Sequence, residues 1–494
     1  MRRPAFLRRV VLPAVILAWA CALRVVLFSG FVLCDDREEF WTAVQMLVHG
    51  PMLAHHLQVR FGVWVFNLAA FKLFGVSEFG FFVPTTLMSA SLGVVGYALL
   101  VRWGYALLPA FAAALMIAAA PFEILMGTVR ANDVILAWLV GLALAALVLL
   151  DERPVRQGLV VALLGWLGFY VKLWVVYFLP ALGLHYLVEA WRRGRWRGGV
   201  VFALASLVLH GATCAFWKQR TGDWLPFIWS HAATYPVEPG DLTRVLRIYP
   251  DLLLHGSELG TTFFGRVPYL VGLGLVLKLA GTLARRLGVS YRMDARDWAL
   301  FGCYASFALL LEFVPNSFVF DRYYSAPRIF RYLAPLSFPM TLHLAKMVLD
   351  LVPARAGWLA LAGLLALTGL NLRQAREATA PSRAYRATLM AVVREVRARR
   401  PPMLVTEGWL TYFLSSVYLN DLAREVQVVQ IPQIYNARDY EAWLQRRQSD
   451  FAPGTFLLTG FGSCVHYGAI RDGFRLALFQ GGLHPAWKVL NDYG

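Results

Sequence analysis

Long apolar runs separated by short polar turns fill the first three quarters of the chain. A membrane-spanning helix needs about 20 mainly apolar residues. Eleven segments approach that pattern: Val10–Ser29, Phe79–Val101, Tyr105–Met126, Val134–Leu150, Leu159–Val171, Leu173–Ala190, Val200–Phe216, Val267–Leu283, Trp298–Phe313, Leu333–Leu349 and Trp358–Leu372. The reading is a polytopic α-helical membrane protein with about eleven transmembrane helices. Two stretches between spans are longer than turns, residues 31–78 and 217–266. In the first, EEFWTAVQMLVHG places Phe40, Val44, Leu47 and Val48 at near-helical spacing, which predicts a helix at the membrane surface. RFGVWVFNLAAFKLFG is apolar enough to enter the interface, yet it carries Arg60, Asn67 and Lys72. The second long stretch is marked by the turn chemistry of TGDW, YPVEPGD and YPD.

The pattern changes near Arg376. TLMAVVREVRARR and DYEAWLQRR have helical character, whereas PMLVTEGW, REVQVVQIP and GTFLLTG are short apolar runs with strand-like boundaries. These signals divide the chain into a membrane unit, residues 1–375, and a small α/β unit, residues 376–494. The second is on the roughly hundred-residue scale of an independent domain.

Composition agrees: 59% of the 494 residues are hydrophobic and 16% charged, with a mean hydropathy of +0.55. A formal charge of +17 could suggest nucleic acid, but its distribution argues for a membrane surface. MRRPAFLRR, the Arg153–Arg156 region, WRRGRWRG and ARRLGVSYR adjoin apolar runs, as positive-inside loops do. With the amino terminus inside, alternate turns are the basic ones, and an odd number of spans puts the region after Leu372 outside. The first run, Val10–Phe31, lacks a small-residue cleavage pattern and reads as a retained helix. Five scattered cysteines have neither metal-ligand nor disulfide-framework spacing. The absence of a phosphate-binding glycine loop, dinucleotide fingerprint or internal repeat argues against a nucleotide-driven pump.

On this threading the polar residues gather at the outer ends of the spans. CDDREEFW supplies Asp35, Asp36, Glu38 and Glu39, and the same stretch continues to His55, His56 and Arg60. GTVRAND supplies Arg130, Asn132 and Asp133; FYVKLW supplies Lys172; a later outer turn supplies Glu312, Asp321, Arg328, Arg331 and Tyr332. The span interiors read as nearly free of charge. Each residue also has an ordinary explanation. Asp35 and Asp36 could be a solvated helix end, Glu38 and Glu39 cap the following helix, Asp133 stabilise a helix start, and Lys172 snorkel to the interface. Adjacent His55 and His56 do not by themselves make a metal site. Together the acids and cations suit transfer from a phosphorylated lipid. A carboxylate takes the proton of an incoming hydroxyl while Arg and Lys stabilise the departing phosphate.

The order of these elements resembles the GT-C superfamily of integral membrane glycosyltransferases. The nearest likeness is to bacterial protein-mannosyltransferase-like and aminoarabinose-transferase-like enzymes. It rests on CDDREEFW after the first helix, on FNLAAFKLFGVSEFGFFVPTTLMSASLGVVGYALLVRWGY and on Asp133 in RANDVILAWLV. Lys172 in FYVKLW and Arg331, Tyr332, Leu333 and Pro335 in FRYLAPLSFP complete it. The resemblance implies a GT-C-like fold ending in an extracytoplasmic α/β domain, in the inner membrane with that domain in the periplasm or outside. It implies inverting transfer from a polyprenyl-phosphate sugar, such as one on undecaprenyl phosphate, to an envelope glycan, lipid or protein. Asp35 or Asp36 would be the base, with Asp133 orienting substrate. Lys172, Arg328 and Arg331 would bind phosphate, Arg130, Arg60, His55 or His56 would assist, and Tyr332 would line the donor cavity. No cofactor is demanded, and a divalent cation stays open. One departure stands out: HHLQVRFGVW lacks the Pro-Pro turn common in the family, which leaves Arg60 and the histidines as alternatives. A polyprenyl-lipid transporter and a noncatalytic polymer-binding partner are the rival readings. Glu407, Cys464 and His466 acquire no role.

Overall fold

The computed structural model describes residues 7–31, 34–50, 56–129, 131–226, 265–283, 291–313, 330–352, 356–407, 414–431, 446–459, 474–479 and 487–493. A π turn, Leu7–Val11, leads into α1 (Leu12–Val26); α2 (Cys34–His49) and α3 (Phe61–Phe74) follow. Then come α4 (Glu78–Arg102), α5 (Leu107–Ala118), α6 (Pro121–Thr128), α7 (Asn132–Leu149), α8 (Pro154–Phe169), α9 (Leu179–Arg193) and α10 (Arg197–Thr221). The helical part closes with α11 (Val267–Leu283), α12 (Ala295–Phe313), α13 (Ala334–Leu351) and α14 (Gly357–Arg399). The 3-10 turns Leu173–Phe178 and Phe330–Leu333 lead into α9 and α13.

Among the described residues, five helices are long and apolar enough to cross a membrane: Leu7–Val26, Glu78–Arg102, Asn132–Leu149, Leu173–Arg193 and Arg197–Thr221. The bent pair α5 and α6 makes a sixth if counted as one span. The protein is thus a multi-pass helical membrane protein, with fewer strict spans than the eleven expected. The other five expected segments are helical too, in α8, α11, α12, α13 and α14. α8 and α11 have 16 and 17 residues. α13 carries His343, Lys346 and Asp350, which lower its apolarity.

Tyr105–Met126, expected as one span, is broken between α5 and α6 by a 49° bend. Pro121 has no N–H to continue the ladder, and it pushes Ala120 out of helical conformation, to φ −55° and ψ 125°. The break leaves carbonyls in need of donors. Arg24 of α1, fully buried, supplies one by donating Nη1 to the Ala118 carbonyl at 3.2 Å and to Ala20 at 3.0 Å. Its Nε and Nη2 donate to Ser89 Oγ of α4 at 2.9 and 2.7 Å, and that hydroxyl donates to the Glu123 carbonyl at 2.6 Å. One guanidinium thus ties α1, α4, α5 and α6 together. Ser89→Ala should cost about 1–3 kcal/mol by leaving buried donors unmet, read as a lower thermal midpoint in detergent.

The span interiors are not charge-free, contrary to the expectation. Arg24 and Glu123 lie in one region, and Lys278, His343 and Lys346 in another, all buried. They escaped notice because each is isolated within its apolar segment, and folding pairs them with groups far away in sequence. Small residues do the reverse service in the core. Ala110, Ala112, Ala113 and Ala114 of α5 are buried and let neighbouring helices approach closely.

α14 is the structural bridge. Ala360, Leu364, Thr368, Asn371, Ala375 and Ala378 form one buried stripe, with Asn371 Nδ2 donating to the Met116 carbonyl of α5 at 3.2 Å. Leu389, Val392, Val393 and Val396 continue at helical spacing into a second core with Leu404, Leu414 and Phe456. The expected division at residue 375 therefore falls inside an unbroken 43-residue helix. The helix stops at Arg400, which takes left-handed φ of 45° before Pro401 and Pro402.

Beyond it lies a five-stranded sheet: β1 (Met403–Glu407), β2 (Gln427–Ile431), β3 (Phe456–Thr459), β4 (Phe474–Phe479) and β5 (Trp487–Tyr493), in the order β2-β1-β3-β4-β5. β1 pairs in parallel with β2 and β3; β3–β4 and β4–β5 are antiparallel. The first three strands match the three apolar runs read from sequence. The helix expected over DYEAWLQRR lies mostly outside the described residues.

Candidate active site

The polar residues converge where α7 begins. Ala131, in extended conformation, precedes Asn132 and Asp133 in the helix's first turn. Asp133 does not cap its own helix. Its Oδ1 accepts from Lys172 Nζ at 2.6 Å, and its side chain is fully buried. Lys172 sits on extended backbone (φ −155°, ψ 133°) after α8, pinned by its N–H to the Gly168 carbonyl at 2.9 Å. Its ammonium stands 4.1 Å from the Tyr332 ring centre and 4.7 Å from that of Trp174. Lys172 therefore does not snorkel. A buried carboxylate and the negative faces of two rings compensate for the lost hydration.

α2 meets the same place. Glu39, expected as a cap or surface acid, is 3% exposed, and Asn132 Nδ2 donates to its Oε1. Thr42, one turn further, is also buried. Arg60, before α3, is 8% exposed, and Trp64 Nε1 donates to the Gln58 carbonyl at 2.9 Å to hold the entry to that helix. Glu312, near the carboxyl end of α12, is buried.

Of the residues expected from sequence, Asp133, Lys172 and Tyr332 are therefore adjacent. For Asp35 and Asp36 the backbone is described, in the first turn of α2. The backbone of His56 is described at the start of the turn His56–Val59, and that of Arg331 in the 3-10 turn Phe330–Leu333. His55, Arg130 and Arg328 lie outside the described residues. Sequence reading undervalued Glu39, although it stands four residues after Asp35 and therefore one helical turn away. Asn67 of α3, read from the sequence only as a polar interruption of an apolar run, joins it. Asn67 is 1% exposed, and among the described residues neither end of its amide finds a hydrogen-bond partner; the same holds for the Thr42 hydroxyl.

A second charged cluster occupies the opposite end of the bundle. Asp297 Oδ2 accepts from Lys278 Nζ at 2.7 Å and Oδ1 from Lys346 Nζ at 2.9 Å, while His343 Nε2 lies 3.1 Å from Oδ1. Asp350 Oδ2 accepts from Lys278 and Lys346 at 2.5 and 2.6 Å, and Tyr105 donates its hydroxyl to Oδ1. Asp294, Asp297 and Asp350 together are a potential divalent-cation group, with ligand oxygens within 4.8 Å of one another. Two ammoniums already engage those oxygens, so an ion there would have to displace them. The cluster reads as an electrostatic tie among α11, α12 and α13, remote from Asp133.

No protein-family model and no curated protein matches the chain. Solved structures do. ArnT from Cupriavidus metallidurans in the apo state superposes with a TM-score of 0.56 at 12% identity, covering 90% of this chain and 92% of that one. ArnT bound to undecaprenyl phosphate gives 0.53 at 14% identity, with the same coverage. The fold is ArnT-like. It is a polytopic helical fold of the kind the sequence led us to expect, and the likeness covers nine tenths of this chain.

Proposed function

We propose that the protein transfers a glycosyl group from a polyprenyl-phosphate-linked sugar to a hydroxyl of an envelope glycan, lipid or protein. The reaction proceeds with inversion at the outer face of a bacterial cytoplasmic membrane. Residues 1–375 would thread the bilayer eleven times, including the helices too short or too polar for the strict count. The carboxyl-terminal unit, residues 376–494, would stand outside. The observation that carries this reading is the buried Asp133–Lys172 pair, which fixes an ammonium between two aromatic rings beside the Asn132–Glu39 contact. An ArnT-like fold, represented by a protein solved with undecaprenyl phosphate, supports the same donor class.

In the proposed reaction a carboxylate accepts the proton of the acceptor hydroxyl as its oxygen bonds to the anomeric carbon. The bond from that carbon to the phosphate oxygen breaks, and the phosphate leaves with the electron pair. A phosphate leaving group needs charge stabilisation more than a strong general acid. Lys172 meets that charge, with Arg60, Arg328, Arg331 or a histidine at positions 55–56 assisting, and Tyr332 bounds the donor. Asp133 holds Lys172 in place. Helical register supports Asp35 over Asp36 as the base: at 100° per residue, positions 35, 39 and 42 share one stripe of α2, the stripe that meets Asn132 through Glu39. Position 36 instead shares the stripe of Phe40 and Ala43, which pack in the aromatic core. We accordingly assign the role of base to Asp35 in this proposal.

Asn67 gives this reading a hydroxyl contact. Its neighbour Phe66 meets Trp138 of α7, and Phe71, one turn on, meets Phe40 of α2. The helix that carries this buried amide thus touches both the helix that brings Asp133 and the one that brings Glu39, and the amide suits the hydroxyls of a sugar. Asn67→Leu should slow transfer by about tenfold, the worth of one or two hydrogen bonds, without lowering the thermal midpoint. A fall in stability with transfer intact would assign the amide to packing.

The decisive test is mass spectrometry of lipid-linked sugars and envelope glycans in cells with and without the protein. Accumulation of one donor with loss of one modification is expected. Unchanged pools in a strain without redundant enzymes would end this proposal. A transporter would instead pass polar groups through several depths. The interior charges found here do not favour it, because the Arg24 and Lys278–Lys346 groups are engaged by other protein atoms.

A further inference from the structure

The turn between α1 and α2 is threaded beneath a three-part contact that involves the carboxyl-terminal unit. Arg386 of α14 donates Nε to Glu78 Oε1 at 3.2 Å and Nη2 to Oε2 at 2.9 Å. Tyr418, which ends the π turn Leu414–Tyr418 after β1, donates its hydroxyl to the same Oε1 at 2.9 Å. Glu78 opens α4, so one carboxylate joins the membrane bundle, the bridging helix and the terminal unit. Both partners of the ion pair are mostly buried, and two-pronged pairing fixes orientation as well as distance. Burial, and then the neighbouring Glu78 charge, raise the Tyr418 phenol well above its ordinary pKa, so it remains a donor.

The α1–α2 turn has little freedom under this contact. The Arg386 guanidinium lies 5.0 Å from the Phe28 ring centre. Gly30, at φ +75°, passes so close that a Cβ there would stand 2.7 Å from Arg386 Cδ and 2.9 Å from Glu78 Oε1. Its N–H donates to the Thr128 carbonyl at 3.1 Å. Phe31 then stacks on Phe81 at 5.4 Å and meets the edges of Phe40 and Tyr418 at 5.8 and 6.1 Å. Phe40 is the residue after Glu39. The path from the terminal unit to α2 is therefore one continuous set of packed rings, which reaches that helix at Phe40.

We propose that Arg386 and Tyr418 are positioning residues: through Glu78 they clamp the Phe28–Phe31 turn and so set where α2, which carries Asp35, holds Glu39 against Asn132. This rests on the glycosyl-transfer reading for its kinetic consequence, but not for its structural one. The carboxyl-terminal unit thereby becomes a working part of the site through the Arg386 and Tyr418 contacts.

The test compares purified full-length protein with Tyr418→Phe, Arg386→Met and Glu78→Gln by hydrogen–deuterium exchange and by transfer kinetics. Exchange across Cys34–His49 should quicken by about tenfold in each variant, as expected when one charge-assisted contact is lost. Exchange across Asn132–Leu149 should not change, which shows that the bundle is folded. The turnover number kcat should fall about tenfold, with donor KM held within about twofold, the pattern of a misplaced base. Wild-type exchange in α2, with faster exchange confined to Leu414–Tyr418, would overturn the proposal and leave the contact a tether. Faster α2 exchange with unchanged kcat would overturn it as well. If the wild-type protein transfers no sugar, the glycosyl-transfer reading falls, while the exchange data still decide whether the clamp exists.

Discussion

Lys172→Met should abolish most glycosyl transfer, lowering kcat/KM by about a hundred- to a thousand-fold, the usual effect of removing one group that stabilises developing negative charge. It should also destabilise the protein by about 3–5 kcal/mol, because Asp133 would remain buried without its ammonium partner. The two effects can be separated. In Asp133→Asn/Lys172→Met no buried charge is stranded, so the thermal midpoint should return most of the way to wild type. Activity should not return, since the cation that meets the phosphate is still missing. If the double variant recovers transfer together with stability, the pair is a structural tie between α7 and the turn before α9. Lys172→Arg gives a graded control. Its planar fork keeps the charge, yet it cannot occupy the same point between Tyr332 and Trp174. Transfer assays with a polyprenyl-phosphate-linked sugar and melting in detergent read the two consequences independently.

Asp133 and Lys172 were each legible as candidates because each interrupts an apolar run at the end of a span. In a bilayer such an interruption demands a partner. The partner's identity was not written in the chain, since 39 positions separate the two. The same limit hid the charges inside the spans. Arg24 meets Ser89, and Lys278 meets Asp350, only after helices distant in sequence pack together. Apolar length set most helix positions well, but it overcounted strict spans. α13 keeps Ser337, Thr341, His343 and Lys346 inside the protein, whereas hydropathy judges every residue as though it faced lipid. The unbroken α14 was missed for a complementary reason. The apolar run ends at Leu372, yet the buried stripe simply changes partners, from the bundle to the sheet. Glu39 was misread because an acid in the first turns of a helix is ordinarily a favourable interaction with the helix dipole. Here its neighbour at the start of α7 makes it part of the candidate site.

That misreading bears on the two adjacent aspartates, which should behave very differently. Asp35→Asn should reduce transfer by about a hundred- to ten-thousand-fold, the range for loss of a general base. Asp36→Asn should stay within about threefold, as substitutions outside the working contacts do. The asymmetry follows from the 100° step of the helix. By spacing, position 35 shares the stripe of Glu39 and Thr42, whose Glu39 meets Asn132, while position 36 shares that of Phe40 and Ala43, which pack in the aromatic core with Phe31 and Phe81. Both substitutions keep size and remove charge, so neither should disturb the packing of α2. If Asp36→Asn is the inactive variant, the start of α2 must be rotated by about a quarter turn from this register, and Glu39 would then lose its place beside the base. If both retain activity, the proton of the acceptor goes elsewhere, and Glu39 is the next carboxylate on the same stripe to substitute. The pH profile separates loss of a base from loss of fit. With Asp35 as base, wild-type activity rises with pH through the carboxylate's titration, because the deprotonated form accepts the proton, and Asp35→Asn should remove that rising limb. A merely structural Asp35 would leave the limb in place.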